Sequence, residues 1–179
     1  MGRELKKFVF LQDKKMLENK MNNMEIERKF LVKDESYKQE SYDSVYVKQA
    51  YLCKDDEHIV RVRIKSEKGF LTIKGKSEDG GLSRFEWEKE ISLEEAKTLL
   101  ERCRQGVVEK RRWLVKWKEF TIEVDEFMGE NEGLTMAEIE FNNPDIQLES
   151  LPNYLKEEVT GDERYYNAYL SQHPYKTWK

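Results

Sequence analysis

Cysteine and histidine are scarce in this 179-residue chain, which has two of each: Cys53, Cys103, His58 and His173. The cysteines lie far apart and carry no CxxC spacing, so the sequence offers no disulfide framework and argues against a thiolate or imidazole zinc site. Long apolar runs are missing too. No segment approaches transmembrane length and no signal-peptide core is visible, so a reducing, cytoplasmic setting without a membrane partner is expected. There is no excess of positive charge. The 32 Lys and Arg stand against 36 Asp and Glu, a net charge of -4. That balance argues against general nucleic-acid binding, yet permits a local basic pocket. No internal repeat or low-complexity tract interrupts the chain.

What the chain does have is charge and aromatics. Charged residues make up 38% of it, hydrophobic residues another 38%, and there are 4 Trp, 9 Tyr and 8 Phe. Disordered chains of comparable charge lack such aromatic content. The length suits one domain with a single core, and the question becomes where so many charges go.

Residues 1–23 read as an N-terminal extension, helical or mobile, with Leu5, Phe8, Val9, Met16 and Leu17 scattered among charges. From Met24 onward the pattern has period two. It predicts strands over 24–33, 44–53, 58–66, 69–76, 84–91, 107–117, 119–127 and 134–142. Turn signals at Asp55-Asp56, Lys68-Gly69, Asp79-Gly80-Gly81, Gly129 and Gly133 separate several of them. One helix interrupts the series near 92–104. Ser92 and Glu95 form a capping box, Leu93, Ala96, Leu99, Leu100 and Cys103 give an apolar face, and Gly106 is the stop. A second helical region is expected near 160–171, followed by a tail over 172–179. The fold class that follows is mainly β (α+β): a closed eight-stranded antiparallel barrel over 24–142 with helices packed outside.

Side chains at i and i+2 of a strand share a face. Read in those pairs, the charges segregate by sign. The acidic pairs are Glu25 and Glu27, Glu86 and Glu88, Glu123 and Asp125, Glu138 and Glu140. The basic pairs are Arg61 and Arg63, Lys74 and Lys76, Lys110 and Arg112, with Lys29 following the first acidic pair. The opposite faces are largely apolar, for example Ile26 and Phe30, Val60 and Val62, Ile122 and Val124, Ala137 and Ile139. For one strand alone, charges turned to solvent are the simpler reading. Across the set, like charges at i,i+2 gain nothing on a free surface, and amphipathic helices can cover the apolar face from outside. The charged face then lines the lumen. Cations there would neutralise a polyanion, with Arg suited to bidentate phosphate contact and Lys to a point charge. Carboxylates beside them would hold Mg²⁺ or Mn²⁺, which take oxygen ligands and bridge to phosphates.

These residues resemble a known family. Glu25-Ile26-Glu27-Arg28-Lys29-Phe30-Leu31-Val32 is similar to the ExExK signature of CYTH domains, also called triphosphate tunnel metalloenzymes. The likeness continues through Arg61-x-Arg63, Thr72-Ile73-Lys74-Gly75-Lys76, Glu86-x-Glu88, Lys110-x-Arg112, Glu123-x-Asp125 and Glu138-x-Glu140. It ends at Val159-Thr160-Gly161-Asp162-Glu163-Arg164-Tyr165-Tyr166-Asn167, and covers roughly residues 24–171. ExExK alone carries little weight, whereas the ordered set is specific. The resemblance implies a tunnel that binds a triphosphate with Mg²⁺ or Mn²⁺. By position, Glu25, Glu27, Glu138 and Glu140 are implied metal ligands, followed by Asp125 and Glu88. Arg61, Arg63, Lys74, Lys76, Lys110 and Arg112 are implied to hold phosphates, with Glu86 and Glu123 on the same faces. Lys29 would sit near the reacting phosphate. Tyr51 would either position Lys29 or serve as a barrel-packing aromatic. The implied partner is a small-molecule triphosphate, with a homodimer left open. The expected function is metal-dependent hydrolysis of a triphosphate, foremost inorganic tripolyphosphate to pyrophosphate and phosphate; the alternatives are cyclisation of ATP to cyclic AMP, hydrolysis of thiamine triphosphate, and, outside the family activities, noncatalytic polyphosphate or nucleotide binding.

Overall fold

The computed structural model describes residues 24–178 apart from 56, 79, 81, 104, 105, 142, 144, 145 and 147. The expected extension over 1–23 lies outside the described residues. Eight antiparallel strands follow the period-two segments closely. They are β1 (Met24–Val32), β2 (Ser41–Lys54), β3 (Ile59–Lys65), β4 (Lys68–Glu78), β5 (Ser83–Ile91), β6 (Val108–Trp117), β7 (Phe120–Phe127) and β8 (Thr135–Phe141). Their order is β5-β4-β3-β2-β6-β7-β8-β1, and pairing of β1 with β5 through Met24↔Phe85, Glu25↔Arg84 and Ile26↔Ser83 closes the barrel. Closure removes the free edges that an open sheet of charged strands would present.

Beyond Ile26, β1 outruns β5. A short strand that the sequence pattern does not announce, β9 (Leu155–Glu158), takes up this edge through Phe30↔Glu158 and Val32↔Leu155. A second unannounced element, the one-turn helix α1 (Tyr37–Glu40), buries Tyr37 to 1% exposure. Helix α2 (Leu93–Arg102) has the expected capping box. The Glu95 amide donates to Ser92 Oγ at 3.2 Å, and the Ser92 amide donates to the Glu95 carboxylate at 2.8 Å. The helix lies so close to β4 that a Cβ on Gly69 would stand 2.5 Å from the Cβ of Ala96. The expected second helix shrinks to a 3₁₀ turn, Glu163–Tyr165, and one helical turn, α3 (Asn167–Leu170). Within the C-terminal tail, Trp178 packs edge-on against Tyr165, Tyr169 and Tyr175.

Apolar side chains face outward, as the alternation predicts. Ile26, Phe30, Ile122, Val124, Ala137 and Ile139 pack outside the barrel with Tyr37 and Tyr154 from the connecting segments. The cover is incomplete on β5, where Phe85 and Trp87 remain 41% and 38% exposed. A second cluster of Val108, Phe127, Leu134 and Met136 with Leu170 of α3 continues the inward faces of β6, β7 and β8. It forms an apolar floor at one end of the lumen. No helix among the described residues is long and apolar enough to cross a membrane.

Candidate active site: a charged tunnel

The lumen holds a cavity of about 410 Å³ whose wall is almost entirely ionised side chains. Register explains how so much charge is accommodated. Strands carry like-signed pairs along their length, but several of these charges meet an opposite one across the register: Glu25↔Arg84, Lys74↔Glu86, Arg112↔Asp125 and Lys29↔Glu138 stand directly across from one another. Opposite charges so placed attract, whereas like charges would repel.

Ion pairs follow from this register. Glu25 receives Lys74 Nζ and Arg84 Nε, each at 2.8 Å. Glu27 meets Arg84 Nη2 at 3.0 Å and Lys29 Nζ at 2.8 Å. Glu138 bridges Lys29 at 2.6 Å and Arg112 at 2.9 Å. Glu88 takes Arg63 at 2.8 Å, Arg61 at 3.3 Å and the Thr72 hydroxyl at 2.7 Å. Arg61 and Arg63 still have donor capacity, because the Nε of each is buried without a hydrogen-bond partner among the described residues.

Two pairs of carboxylates break the rule. Glu27↔Glu140 and Glu123↔Glu138 place carboxylate opposite carboxylate on either side of β8. Glu140 stands at the rim. Its carboxyl is pushed up, first by lost hydration and then by the carboxylates of Glu25, Glu123, Glu27 and Glu86. Glu25 and Glu138 are held well below the usual carboxylate range, because Lys74 and Arg84, and Lys29 and Arg112, outweigh the burial that opposes ionisation. The Lys29 ammonium is pushed up: burial works against it, but Glu138 and Glu27 prevail. Lys110 moves the other way, down to about 8, because burial and Arg112 outweigh Asp125.

Most sequence-derived site residues meet in this cavity: Glu25, Glu27, Lys29, Tyr51, Arg61, Arg63, Lys74, Glu88, Lys110, Arg112, Glu138 and Glu140 all line it, with Glu86 and Glu123. Lys76 does not. A bulge in β4 between Lys74 and Ser77 inserts one residue and turns Lys76 outward, where its side chain is 67% exposed and faces Glu57 at 3.5 Å. Asp125 does not line the cavity either. It is 1% exposed behind the wall, both of its oxygens take Arg112 at 2.7 Å, and Lys110 binds it as well. Its lone pairs are all directed at Arg112 and Lys110. Tyr51 is buried, and its hydroxyl accepts a hydrogen bond from Gln49 at 2.9 Å. The ring over the Lys29 ammonium is that of Tyr166, 6.0 Å away.

The sequence reading missed Arg84, Tyr166 and Asn167, which also line the cavity. Arg84 had a signal, since it lies two residues before Glu86 on the same face. Tyr166 and Asn167 come from the short C-terminal turn, where periodicity is silent. His58 and both cysteines stand apart from the cavity lining.

The donor chemistry suits a hard divalent cation, since every carboxylate on β1 and β8 offers only oxygen. Among the described residues no three of these groups converge at ligating distance, because each except Glu140 is drawn to a cation. A metal would be held by exchanging those partners.

Comparison with known proteins agrees with this geometry. The family model of the CYTH domain matches residues 23–166. An inorganic triphosphatase of Acetivibrio thermocellus is 45% identical over 156 residues, which is 87% of this chain and 97% of that protein. One from Nitrosomonas europaea is 34% identical over 150 residues, covering 82% and 96%. A crystal structure of an inorganic triphosphatase superposes with a TM-score of 0.58 at 31% identity, covering 82% of this chain and 93% of that one. With the matched region spanning the whole eight-stranded barrel and most of its lining, the chain belongs to the CYTH domain family.

Proposed function

We propose that this protein hydrolyses inorganic tripolyphosphate to pyrophosphate and phosphate inside its tunnel, with the aid of Mg²⁺ or Mn²⁺. The observation that carries the reading is the division of the tunnel wall. Strands β3 and β4 present Arg61, Arg63 and Lys74 to the cavity; β1 and β8 present the acidic register pair Glu27↔Glu140, whose Glu140 has no ion-pair partner among the described residues. A polyanion satisfies the first group and a cation the second. The activity of the relatives, both inorganic triphosphatases, supports the same assignment.

Phosphoanhydride hydrolysis asks little covalent chemistry of the protein; positioning and charge stabilisation supply most of the effect. Arg61 and Arg63 would clamp phosphate oxygens through their free donors, and Lys29, Lys74 and Arg112 would neutralise charge that develops on the leaving group. Glu25, Glu27 and Glu140 would hold the metal. Bound there, the metal supplies Lewis acidity and lowers the pKa of attacking water. The anchoring of Lys110 and Arg112 by Asp125 keeps those cations fixed before substrate arrives, so little reorganisation is needed.

The test is product analysis with tripolyphosphate, ATP and thiamine triphosphate, each with Mg²⁺, with Mn²⁺ and with excess chelator. The expected result is fastest turnover of tripolyphosphate, abolished by chelator. Cyclic AMP from ATP would assign a cyclase instead, and metal-independent turnover would remove the carboxylates from the mechanism.

A further inference from the structure

The C-terminal turn is locked against the closed end of the tunnel. Leu170 is part of the apolar floor. The Gly106 amide donates to Ser171 O at 3.1 Å, in a contact so tight that a Cβ on Gly106 would stand 2.4 Å from that oxygen. Upstream, the Lys29 amide donates to Thr160 Oγ1 at 2.9 Å, and the Val159 amide donates to Lys29 O at 2.8 Å. The segment is thus fixed both to β1 and to the residues that lead into β6. Between these ties, Tyr166, Asn167 and Ala168 line the cavity itself.

Asn167 is the polar group this segment places there. Lys110 Nζ donates to its Oδ1 at 3.2 Å. A lysine ammonium has only donors, so the amide orientation is forced: oxygen toward Lys110, NH₂ away from it. Among the described residues nothing accepts from that NH₂. The side chain therefore presents a fixed neutral donor beside the Lys110 ammonium and beside the Tyr166 ring that covers Lys29. A group that answers a neutral donor beside a lysine ammonium is an oxyanion rich in acceptors.

We propose that Asn167 is a substrate-binding residue that donates a hydrogen bond from Nδ2 to an oxygen of the phosphoryl group at the closed end of the tunnel. This rests on the triphosphatase reading. It also sets a specificity: that end accepts a phosphoryl group with free oxygens, and α3 and the floor leave any organic substituent to the other end.

The competing role for Asn167 is only to position Lys110, and one substitution separates the two. Asn167→Asp preserves size and the acceptor for Lys110, but replaces the cavity-facing donor with an acceptor. If positioning were the whole role, Asn167→Asp would match or exceed wild type. If Nδ2 binds phosphate, kcat/KM for tripolyphosphate falls by roughly 100-fold or more in Asn167→Asp and about 10-fold in Asn167→Ala. The stabilisation of the fold by tripolyphosphate, read as a rise in melting temperature with Mg²⁺ present, shrinks in the same order. Wild type that neither turns over tripolyphosphate nor is stabilised by it would overturn the triphosphatase reading and the proposal together. A wild-type response with an Asn167→Asp protein equal to it would overturn the proposal alone.

Discussion

Arg84 competes with metal for the same carboxylates, so Arg84→Met should weaken tripolyphosphate binding and strengthen metal binding at once. In the free protein Arg84 spans Glu25 at 2.8 Å and Glu27 at 3.0 Å, with its side chain 14% exposed. Removing one partner of a buried pair costs ~3–5 kcal/mol when the charge left behind has no other partner. Here Lys74 still holds Glu25 and Lys29 still holds Glu27. The expected loss is therefore smaller, about 1–3 kcal/mol, or roughly 2–12 °C in melting temperature for a domain of this size. The freed carboxylates then face Glu140 with less compensation, and a divalent cation gains what Arg84 supplied. Tenfold tighter metal binding would add about 1.4 kcal/mol, a further rise of roughly 3–5 °C at saturating Mg²⁺ or Mn²⁺. Thermal melts of wild type and Arg84→Met, with and without metal, measure both effects. A metal-induced rise in the variant no larger than in wild type would refute the reasoning, because Arg84 would then not occupy the cation's place.

The remaining expectations are more direct. Arg61→Ala should lower kcat/KM for tripolyphosphate by roughly 30- to 1,000-fold, and Arg61→Lys should recover only part, since the bidentate fork is lost; steady-state kinetics on both variants decide this. Lys110 is charged below about 8 and neutral above it, so kcat/KM should fall as pH rises through that value and the fall should move to higher pH in Lys110→Arg; a profile unchanged by the substitution removes Lys110 from phosphate holding. Gly69→Ala brings a methyl into the Ala96 side chain and the Ser92 carbonyl, and should destabilise by about 1–3 kcal/mol in chemical denaturation while leaving the tunnel chemistry intact.

The strands and most of the tunnel wall were legible because both depend on local alternation. Period two fixes which side chains share a face, and sign segregation made the solvent-facing alternative unattractive. Three kinds of feature escaped that logic. Lys76 is out of phase because a bulge adds one residue after Lys74, and the interior glycine Gly75 is the mark of it that alternation alone passes over. Asp125 was on the expected face, but its role depends on neighbours that only the β6–β7 register brings to it. Strand β9 and helices α1 and α3 have four residues each, too short for any periodicity, and exist because β1, β6 and the barrel end offer them partners. Arg84 was legible in principle, and was hidden by the assumption that each strand bears one sign.

That assumption has a physical correction which also bears on function. Like-signed clusters within a strand would make the free tunnel costly if they faced one another. Pairing of opposite charges, residue by residue, instead neutralises most of the empty tunnel, although the acidic strands β7, β8, β1 and β5 are neighbours and Lys29 on β1 and Arg84 on β5 supply the cations among them. The pairing fails on both flanks of β8, where Glu140 faces Glu27 and Glu138 faces Glu123. Glu138 is rescued by Lys29 and Arg112, whereas Glu140 meets carboxylates on every side. Repulsion is therefore concentrated at one place at the rim instead of being spread along the tunnel. A Glu140→Gln substitution removes one charge from that place at nearly constant size. It should raise the melting temperature of the metal-free protein and abolish most of the further rise produced by Mg²⁺ or Mn²⁺. The pair of changes is diagnostic, because a carboxylate kept only for folding would lower stability when neutralised. A metal-free Glu140→Gln protein that melts below wild type, yet responds to metal as wild type does, would place the cation elsewhere.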